Sequence, residues 1–265
     1  MKRRTYLKGS AGAAAAFTLA GCLGGGDEIV IGSDIPYRPF EYETTEGELV
    51  GFDVEIAQAV FTDQLGYEHR FKPTSFDGII PALKNGNFRV IMSAMTITEE
   101  RAEEIDFSDP YFTAYQTVVV LKNGDISSKE DLKGKTVGVQ KGTTGAAAAD
   151  SLKEEFDGNL NIQRYDQIPG AFDALRNNQV VAVINDNTVN AEFVNQSDSV
   201  TFLEGSGAAE EQGKNAPPYL TLTVEEYGIG FRQDDDEFRK EVNGALETIR
   251  ENGTYDEIYS KYFSG

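Results

Sequence analysis

The chain has 265 residues and carries 44 acidic side chains against 24 basic ones, a formal charge of −20, with one histidine and one cysteine. Its length and its 40 % hydrophobic content suit one large or two modest cores, which excludes a disordered chain. The acid excess argues against nucleic acid as a partner, and a single cysteine excludes a disulfide framework or a thiolate metal site.

Residues 1–21 are expected to be an export signal. Lys2, Arg3, Arg4 and Lys8 make a basic start, residues 11–19 are apolar and rich in alanine, and small residues lead to Leu19-Ala20-Gly21-Cys22. The apolar stretch is too short to span a bilayer. Arg3-Arg4 followed by Tyr6-Leu7-Lys8 resembles the twin-arginine (Tat) signal of proteins exported already folded. Leu-Ala-Gly-Cys resembles the lipoprotein processing site, which would leave Cys22 as an acylated first residue; the alternative is an incidental cysteine in a cleaved secretory peptide. Residues 22–26, with Gly24-Gly25-Gly26, then form a flexible tether. Removing the four basic leader residues leaves −24 on the mature chain. Spread along the whole length, that charge is expected of a halophilic protein hydrated in concentrated salt, where the Debye length is only about 3 Å. Loss of the fold below molar salt would support the expectation, and full stability in dilute buffer would remove it. Single runs such as Asp234-Asp235-Asp236-Glu237 read as solvated faces.

Short apolar runs alternate with segments of helical period, the pattern of an α/β protein with mainly parallel strands. Residues 28–33 read as a buried strand. Residues 53–65 read as a helix, with Val54, Ile56, Ala57, Val60, Phe61 and Leu65 on one face and Gly66 at its end. A strand is expected at 70–72 and a helix at 75–83 with Ser75 as N-cap, although Pro81 sits late in it. Residues 90–94 form a further buried strand, and Thr98-Glu99-Glu100 opens a helix with a hydroxyl cap and carboxylates in the first turn. A β-branched strand at 117–121 leaves this unit. The second unit repeats the βα logic: Ser127-x-x-Glu130 as a capping box, a strand at 136–139, a Gly/Ala-rich helix from Thr144 and an apolar strand at 180–184. Residues 204–218 read as a mobile surface loop. A strand at 228–231 precedes a helix with the stripe Phe238, Val242, Leu246 and Ile249. Thr254-x-x-Glu257 opens a last helix whose Tyr255, Ile258, Tyr259, Tyr262 and Phe263 belong to the core, as does Phe40.

No G-x-S-x-G, Walker-type loop or His-rich metal spacing is present, and no cofactor or metal is expected. His69, flanked by Glu68 and Arg70, reads as exposed. Several segments taken together do resemble a family, the extracellular solute-binding proteins for polar amino acids that serve ABC importers. They are Asp34-Ile-Pro-Tyr-Arg-Pro-Phe40, Gly51-Phe-Asp-Val-Glu-Ile56, Ser75-Phe-Asp-Gly-Ile-Ile-Pro-Ala-Leu83, Ser93-Ala-Met-Thr-Ile-Thr-Glu-Glu-Arg101 with Asp106-Phe-Ser-Asp109, and Gly138-Val-Gln-Lys-Gly-Thr-Thr144. Val242-Asn-Gly-Ala-Leu246 and Glu251-Asn-Gly-Thr-Tyr-Asp-Glu-Ile-Tyr259 resemble the glutamine-binding members. Each segment is weak alone, but they occur in the family's order over essentially the whole mature chain.

The resemblance implies an α/β, two-lobed, periplasmic-binding-protein-like fold of type II. Residues 27–110 and 230–265 would form lobe 1, 116–224 lobe 2, and 111–115 and 225–229 the two hinge strands, with ligand held between the lobes at the strand ends. A free amino acid carries a carboxylate and an ammonium, and taking both out of water demands hydrogen-bonded partners of opposite charge. Arg101 matches the family's carboxylate clamp, whose planar fork Lys cannot imitate. Thr96 and backbone amides near Ser93 and Ala94 would add donors from lobe 1, and Thr143 and Thr144 from lobe 2. Asp186 matches the acceptor of the ligand ammonium, and Tyr37 and Phe76 match the aromatic pair around the ligand side chain. Asp34 occupies the position facing the far end of that side chain, where a carboxylate favours an amide, ammonium or guanidinium; Gln140 and Asn185 would lie nearby. The expected ligand order is glutamine, then basic amino acids, then other polar ones. Structural alternatives exist for each residue: core packing for Tyr37 and Phe76, a surface pair with Glu99 or Glu104 for Arg101, a helix cap for Asp186 and for Thr143-Thr144. The expected product is a lipid-anchored monomer on the extracellular face of the cytoplasmic membrane, whose partners are an amino acid and an ABC transporter permease. The competing reading is an exported dehydratase of the same architecture acting on cyclic amino-acid precursors.

Overall fold

The computed structural model describes residues 28–213 and 216–263; Cys22, the leader and the glycine tether lie outside them. The chain enters through β1 (Ile29–Ser33), four of whose five residues are buried, as a strand covered on both faces requires. A small hairpin, β2 (Tyr42–Glu43) and β3 (Leu49–Val50), leads into α1 (Phe52–Ala57). The helix expected over residues 53–65 widens after Ala57 into a π-helical segment, Gln58–Gln64, and Leu65 N–H donates back five residues to the Val60 carbonyl. Next come β4 (His69–Pro73) and α2 (Phe76–Lys84). His69 is not exposed: it is half-buried beside the rings of Phe61 and Phe71 and hydrogen-bonds Thr62.

The strand expected at residues 90–94 pairs only at β5 (Val90–Ile91). Ala94 adopts a left-handed φ of 45°, which no extended strand accommodates, so the chain turns there. In α3 (Glu99–Ala102) the Thr98 hydroxyl accepts the Arg101 N–H, the expected N-cap. After β6 (Asp106–Phe107), the ten-residue β7 (Phe112–Leu121) fuses most of the first expected hinge segment with the strand expected beyond it.

The second unit begins with a 3-10 turn, Lys129–Leu132, capped one residue later than expected. Ser128 and Asp131 form the reciprocal box, because Asp131 rather than Glu130 reaches the amides of Ser127 and Ser128. β8 (Thr136–Gln140) and α4 (Thr144–Glu155) fall where the sequence places them. β9 (Asn161–Tyr165), α5 (Ile168–Arg176), β10 (Ala182–Asp186), α6 (Asn187–Asn195) and β11 (Val200–Phe202) complete the unit. The segment read as a loop contains the one-turn α7 (Ala208–Glu211), pinned by buried Ala209. β12 (Thr221–Tyr227) runs back, and β13 (Gly230–Phe231), α8 (Asp236–Glu251) and α9 (Thr254–Phe263) end the described chain.

Two sheets result, in the orders β4-β1-β5-β13-β6 and β11-β7-β10-β8-β9, with β12 also paired on β7. Each is parallel at one end and antiparallel at the other. β7 and β12 pair antiparallel from Phe112↔Tyr227 to Thr117↔Thr221 and link the two lobes. At their lobe 1 end, Phe40, Phe52, Phe112 and Phe263 form an aromatic cluster, with ring centroids 5.1 Å apart for Phe40–Phe112 and 4.8 Å for Phe112–Phe263. This cluster fixes α9 to the base of the linking strands. Of the α9 aromatics, Tyr255, Tyr262 and Phe263 pack on the core as expected, whereas Tyr259 is 40 % exposed.

Candidate functional site

A small cavity between the lobes is lined by Asp34, Tyr37, Phe76, Ser93, Ala94, Thr96 and Arg101 from one side and Gln140, Thr143, Thr144 and Asp186 from the other. These are all eleven residues singled out from the sequence as candidate ligand contacts. Most sit just beyond, or at, the carboxyl ends of β1, β5, β8 and β10, where backbone groups are free to meet a ligand, while Phe76 opens α2 after β4 and Arg101 is on α3. The cavity is narrow, because groups of its two walls already hydrogen-bond one another across it, Gln140 to Asp34 and Tyr37 to Asp186.

Arg101 is only 9 % exposed, and Glu104, one of the two partners in its surface alternative, pairs with Lys84. The guanidinium donates from Nη1 to the Thr96 carbonyl at 2.7 Å and from Nη2 to the Gly142 carbonyl at 3.0 Å, and it stands 5.2 Å from the Phe76 ring centre. One of these bonds stays in lobe 1; the other crosses to lobe 2. Burial pulls its pKa down, opposed by the charges of Glu225 and then Asp186, and it remains a cation.

Asp186 occupies the N-cap position of α6 but makes no capping hydrogen bond. Its carboxylate instead accepts from the Tyr37 hydroxyl of lobe 1 and the Gln116 amide. Burial first, and the negative charge of Glu225 second, raise its pKa to about 7, while the hydrogen bonds from Tyr37 and Gln116 act the other way. Asp34 accepts from Gln140 across the cavity, and burial raises its pKa as well. Asn185 Oδ1 lies 3.0 Å from the same Tyr37 hydroxyl oxygen, and Gln167 Nε2 of lobe 2 donates to the Ile35 carbonyl of lobe 1 at 2.9 Å. Thr143 caps α4 as its structural alternative held, accepting the Ala146 N–H, and lines the cavity too.

Beneath the lobe 1 wall lies a network that the sequence did not announce. The Ser93 hydroxyl accepts the Asp34 N–H and donates to Glu41, and the Ala94 N–H donates to Asp53, which also accepts from the Tyr111 hydroxyl. Glu41 and Asp53 are wholly buried; burial lifts Asp53 to about 6 and Glu41 well above the usual carboxylate range. The left-handed Ala94 costs about 1–2 kcal/mol, and its bond to Asp53 holds it there. Gln116 and Glu225 were also missed. Glu225 had no local signal, being one of 44 acidic residues.

The site therefore sets one buried cation and two carboxylates around a space closed from both sides, an arrangement suited to a small molecule bearing both charges. Residues 29–265 match the family described as bacterial extracellular solute-binding proteins, family 3. The chain belongs to that family. Among family 3 relatives, a probable histidine-binding protein of Neisseria gonorrhoeae is 33 % identical over 264 residues, covering 95 % of this chain and 93 % of that protein. The ABC transporter glutamine-binding protein GlnH of Bacillus subtilis (strain 168) is 34 % identical over 240 residues, covering 89 % and 81 %. A solved structure of an ancestral arginine-binding protein bound to arginine has a TM-score of 0.78 and 38 % identity, covering 89 % of this chain and 98 % of that one. The family 3 chain has the type II periplasmic-binding-protein fold, and it is a binding protein, not an enzyme. No helix among the described residues is long and apolar enough to cross a membrane.

Proposed function

We propose that this chain captures a polar amino acid by lobe closure and delivers it to an ABC importer permease, held at the outer face of the cytoplasmic membrane by acylated Cys22. On this reading residues 27–110 and 230–265 form lobe 1, 116–224 lobe 2, and 111–115 and 225–229 the hinge. The observation that carries the reading is the placement of Arg101 and Asp186 from opposite lobes on one cavity. Arg101 takes the α-carboxylate, Asp186 the α-ammonium, and Tyr37 and Phe76 enclose the side chain that reaches toward Asp34 and Gln140.

The charges reorder the candidate ligands. Arg101 faces Asp34 and Asp186, with Glu225 behind Thr96 and Thr144. A ligand cation at Asp34 ionises a carboxyl that burial otherwise disfavours, and a charge-assisted hydrogen bond is worth about 1.5–3 kcal/mol. Arginine, lysine or histidine is thereby placed ahead of glutamine. Calorimetry in concentrated salt with a panel of amino acids tests this. Stoichiometric binding with a basic amino acid at least about tenfold tighter than glutamine, a difference of ~1.4 kcal/mol, is the expected result; a preference for glutamine or an acidic amino acid would reverse the order. Repeating the titration at decreasing salt reads the halophilic expectation together with it.

Closure itself has a steric test. Gly142 sits at φ 73°, and a Cβ there would lie 2.9 Å from Asp77 Cα in the opposite lobe. Gly142→Ala is expected to hold the lobes apart and weaken binding at least about tenfold, in a protein that still melts cooperatively. Unchanged affinity would mean that the lobes need not approach this closely to hold ligand.

A further inference from the structure

Glu225 stands behind the cavity wall, on β12, and is 7 % exposed. Its Oε2 accepts the Thr96 hydroxyl at 2.6 Å and the Thr144 hydroxyl at 2.7 Å, with Gln116 Nε2 at 3.3 Å; its Oε1 accepts the Thr223 hydroxyl at 2.8 Å. Thr96 follows β5 of lobe 1 and Thr144 opens α4 of lobe 2, and their hydroxyl oxygens are 3.3 Å apart. One oxygen atom of a linking strand thus gathers a side chain from each lobe.

The same three side chains form a partition. Thr96 and Thr144 line the cavity on one side and, with Glu225, an open groove between α4 and β12 on the other. Hydrogen bonds to a carboxylate are about twice as strong as neutral ones, and a hydroxyl has a single proton to give. Both threonines are therefore oriented by Glu225. Separation of the lobes breaks at least one of the two short bonds and opens the Arg101 end of the cavity to the water of the groove, where electrostatic attraction weakens.

We propose that Glu225 is a positioning residue that latches the closed cleft, joining Thr96 of lobe 1 to Thr144 of lobe 2 and sealing the cavity from the groove behind it. The proposal rests on the amino-acid-binding reading for its effect on affinity but not for its effect on lobe separation. Glu225→Ala removes the acceptor, and Glu225→Gln keeps the shape and one acceptor oxygen without the charge. Both are compared with the wild type in a Cys22→Ser background with spin labels at exposed Asn85 and Lys153, one on each lobe. The latch predicts a longer lobe separation in Glu225→Ala without amino acid, an intermediate one in Glu225→Gln, and one common short separation at saturating L-arginine. Dissociation of L-arginine accelerates at least about tenfold in Glu225→Ala, the effect of ~1.4 kcal/mol. If Glu225→Ala fails to fold, Glu225→Gln carries the same two readings. Separations and dissociation rates equal to wild type would overturn the latch. A wild type that binds no amino acid would refute the functional reading alone, and the separations without amino acid would still judge the latch.

Discussion

Arg101→Ala is expected to weaken amino-acid binding by about 2–5 kcal/mol, the range for breaking a buried, hydrogen-bonded charge pair, which is roughly 30-fold to several thousand-fold in Kd. The size follows from burial. The Thr96 carbonyl and the Phe76 ring, both of lobe 1, fix the plane of Arg101 before ligand arrives, and closure adds the Gly142 bond and its burial. An incoming carboxylate therefore meets an oriented cation that closure then desolvates with it. Truncation leaves that carboxylate in a closed space with no cation among the lining residues. Arg101→Lys restores the charge without the fork and is expected to recover only part of the loss. Since the Nη2 bond to Gly142 also spans the lobes, a melt of each variant separates lost clamping from lost stability. Affinity unchanged in Arg101→Ala would eliminate the clamp.

The second large effect is a dependence on pH centred near neutrality. Asp186 has a pKa raised to about 7 by burial and by Glu225, and the other groups facing it are Tyr37, Tyr227, Gln116 and, at longer range, Arg101. A ligand ammonium favours the carboxylate, so binding must release a proton wherever Asp186 was protonated beforehand. Apparent affinity is then flat above about pH 8 and falls toward a limit of tenfold per pH unit below about 6. For the protein without ligand the sign reverses. A native pKa above the unfolded one means that the folded form binds the extra proton, so stability declines as pH rises from about 4 to about 7 and is level beyond. Asp186→Asn removes the titration and the ammonium's partner together, at a cost again of about 2–5 kcal/mol. Titration calorimetry in buffers of differing ionisation enthalpy checks the release directly. Affinity that does not vary between pH 5.5 and 8.5, with no proton released, would show that Asp186 is ionised throughout or faces no ammonium.

Much of the fold was legible where burial is one-sided or complete. The run Ile29–Ser33, the stripe of α8 and the small-residue helix after Thr143 each carry their period in the sequence. The elements missed between residues 161 and 202 carry weaker marks. β9 reads Asn-Ile-Gln-Arg-Tyr with no residue fully buried, so it has no apolar face to show. α5, by contrast, had a signal: Pro169 in its first turn and Ile168, Phe172 and Leu175 at helical spacing. The strand read through Ala94 was too long because hydrophobicity alone does not reveal a left-handed residue held by Asp53, 41 positions away. The site was legible for a different reason. Ten of its eleven cavity-lining residues lie in ordered segments that resemble one family, and Asp186 closes the buried run of β10, whereas Glu41, Asp53, Gln116 and Glu225 act mainly through partners 28 to 129 positions distant. Polar pairing over such separations leaves no local pattern to read.

The central claim is that one zwitterion bridges Arg101 and Asp186. It is tested most directly by titrating wild type and Arg101→Ala with the tightest amino acid of the panel and with its decarboxylated analogue. The account predicts that wild type strongly prefers the amino acid, and that Arg101→Ala loses this preference by weakening the amino acid while leaving the analogue nearly unchanged. Equal weakening of both ligands would contradict it, because Arg101 would then support the cavity without touching the carboxylate.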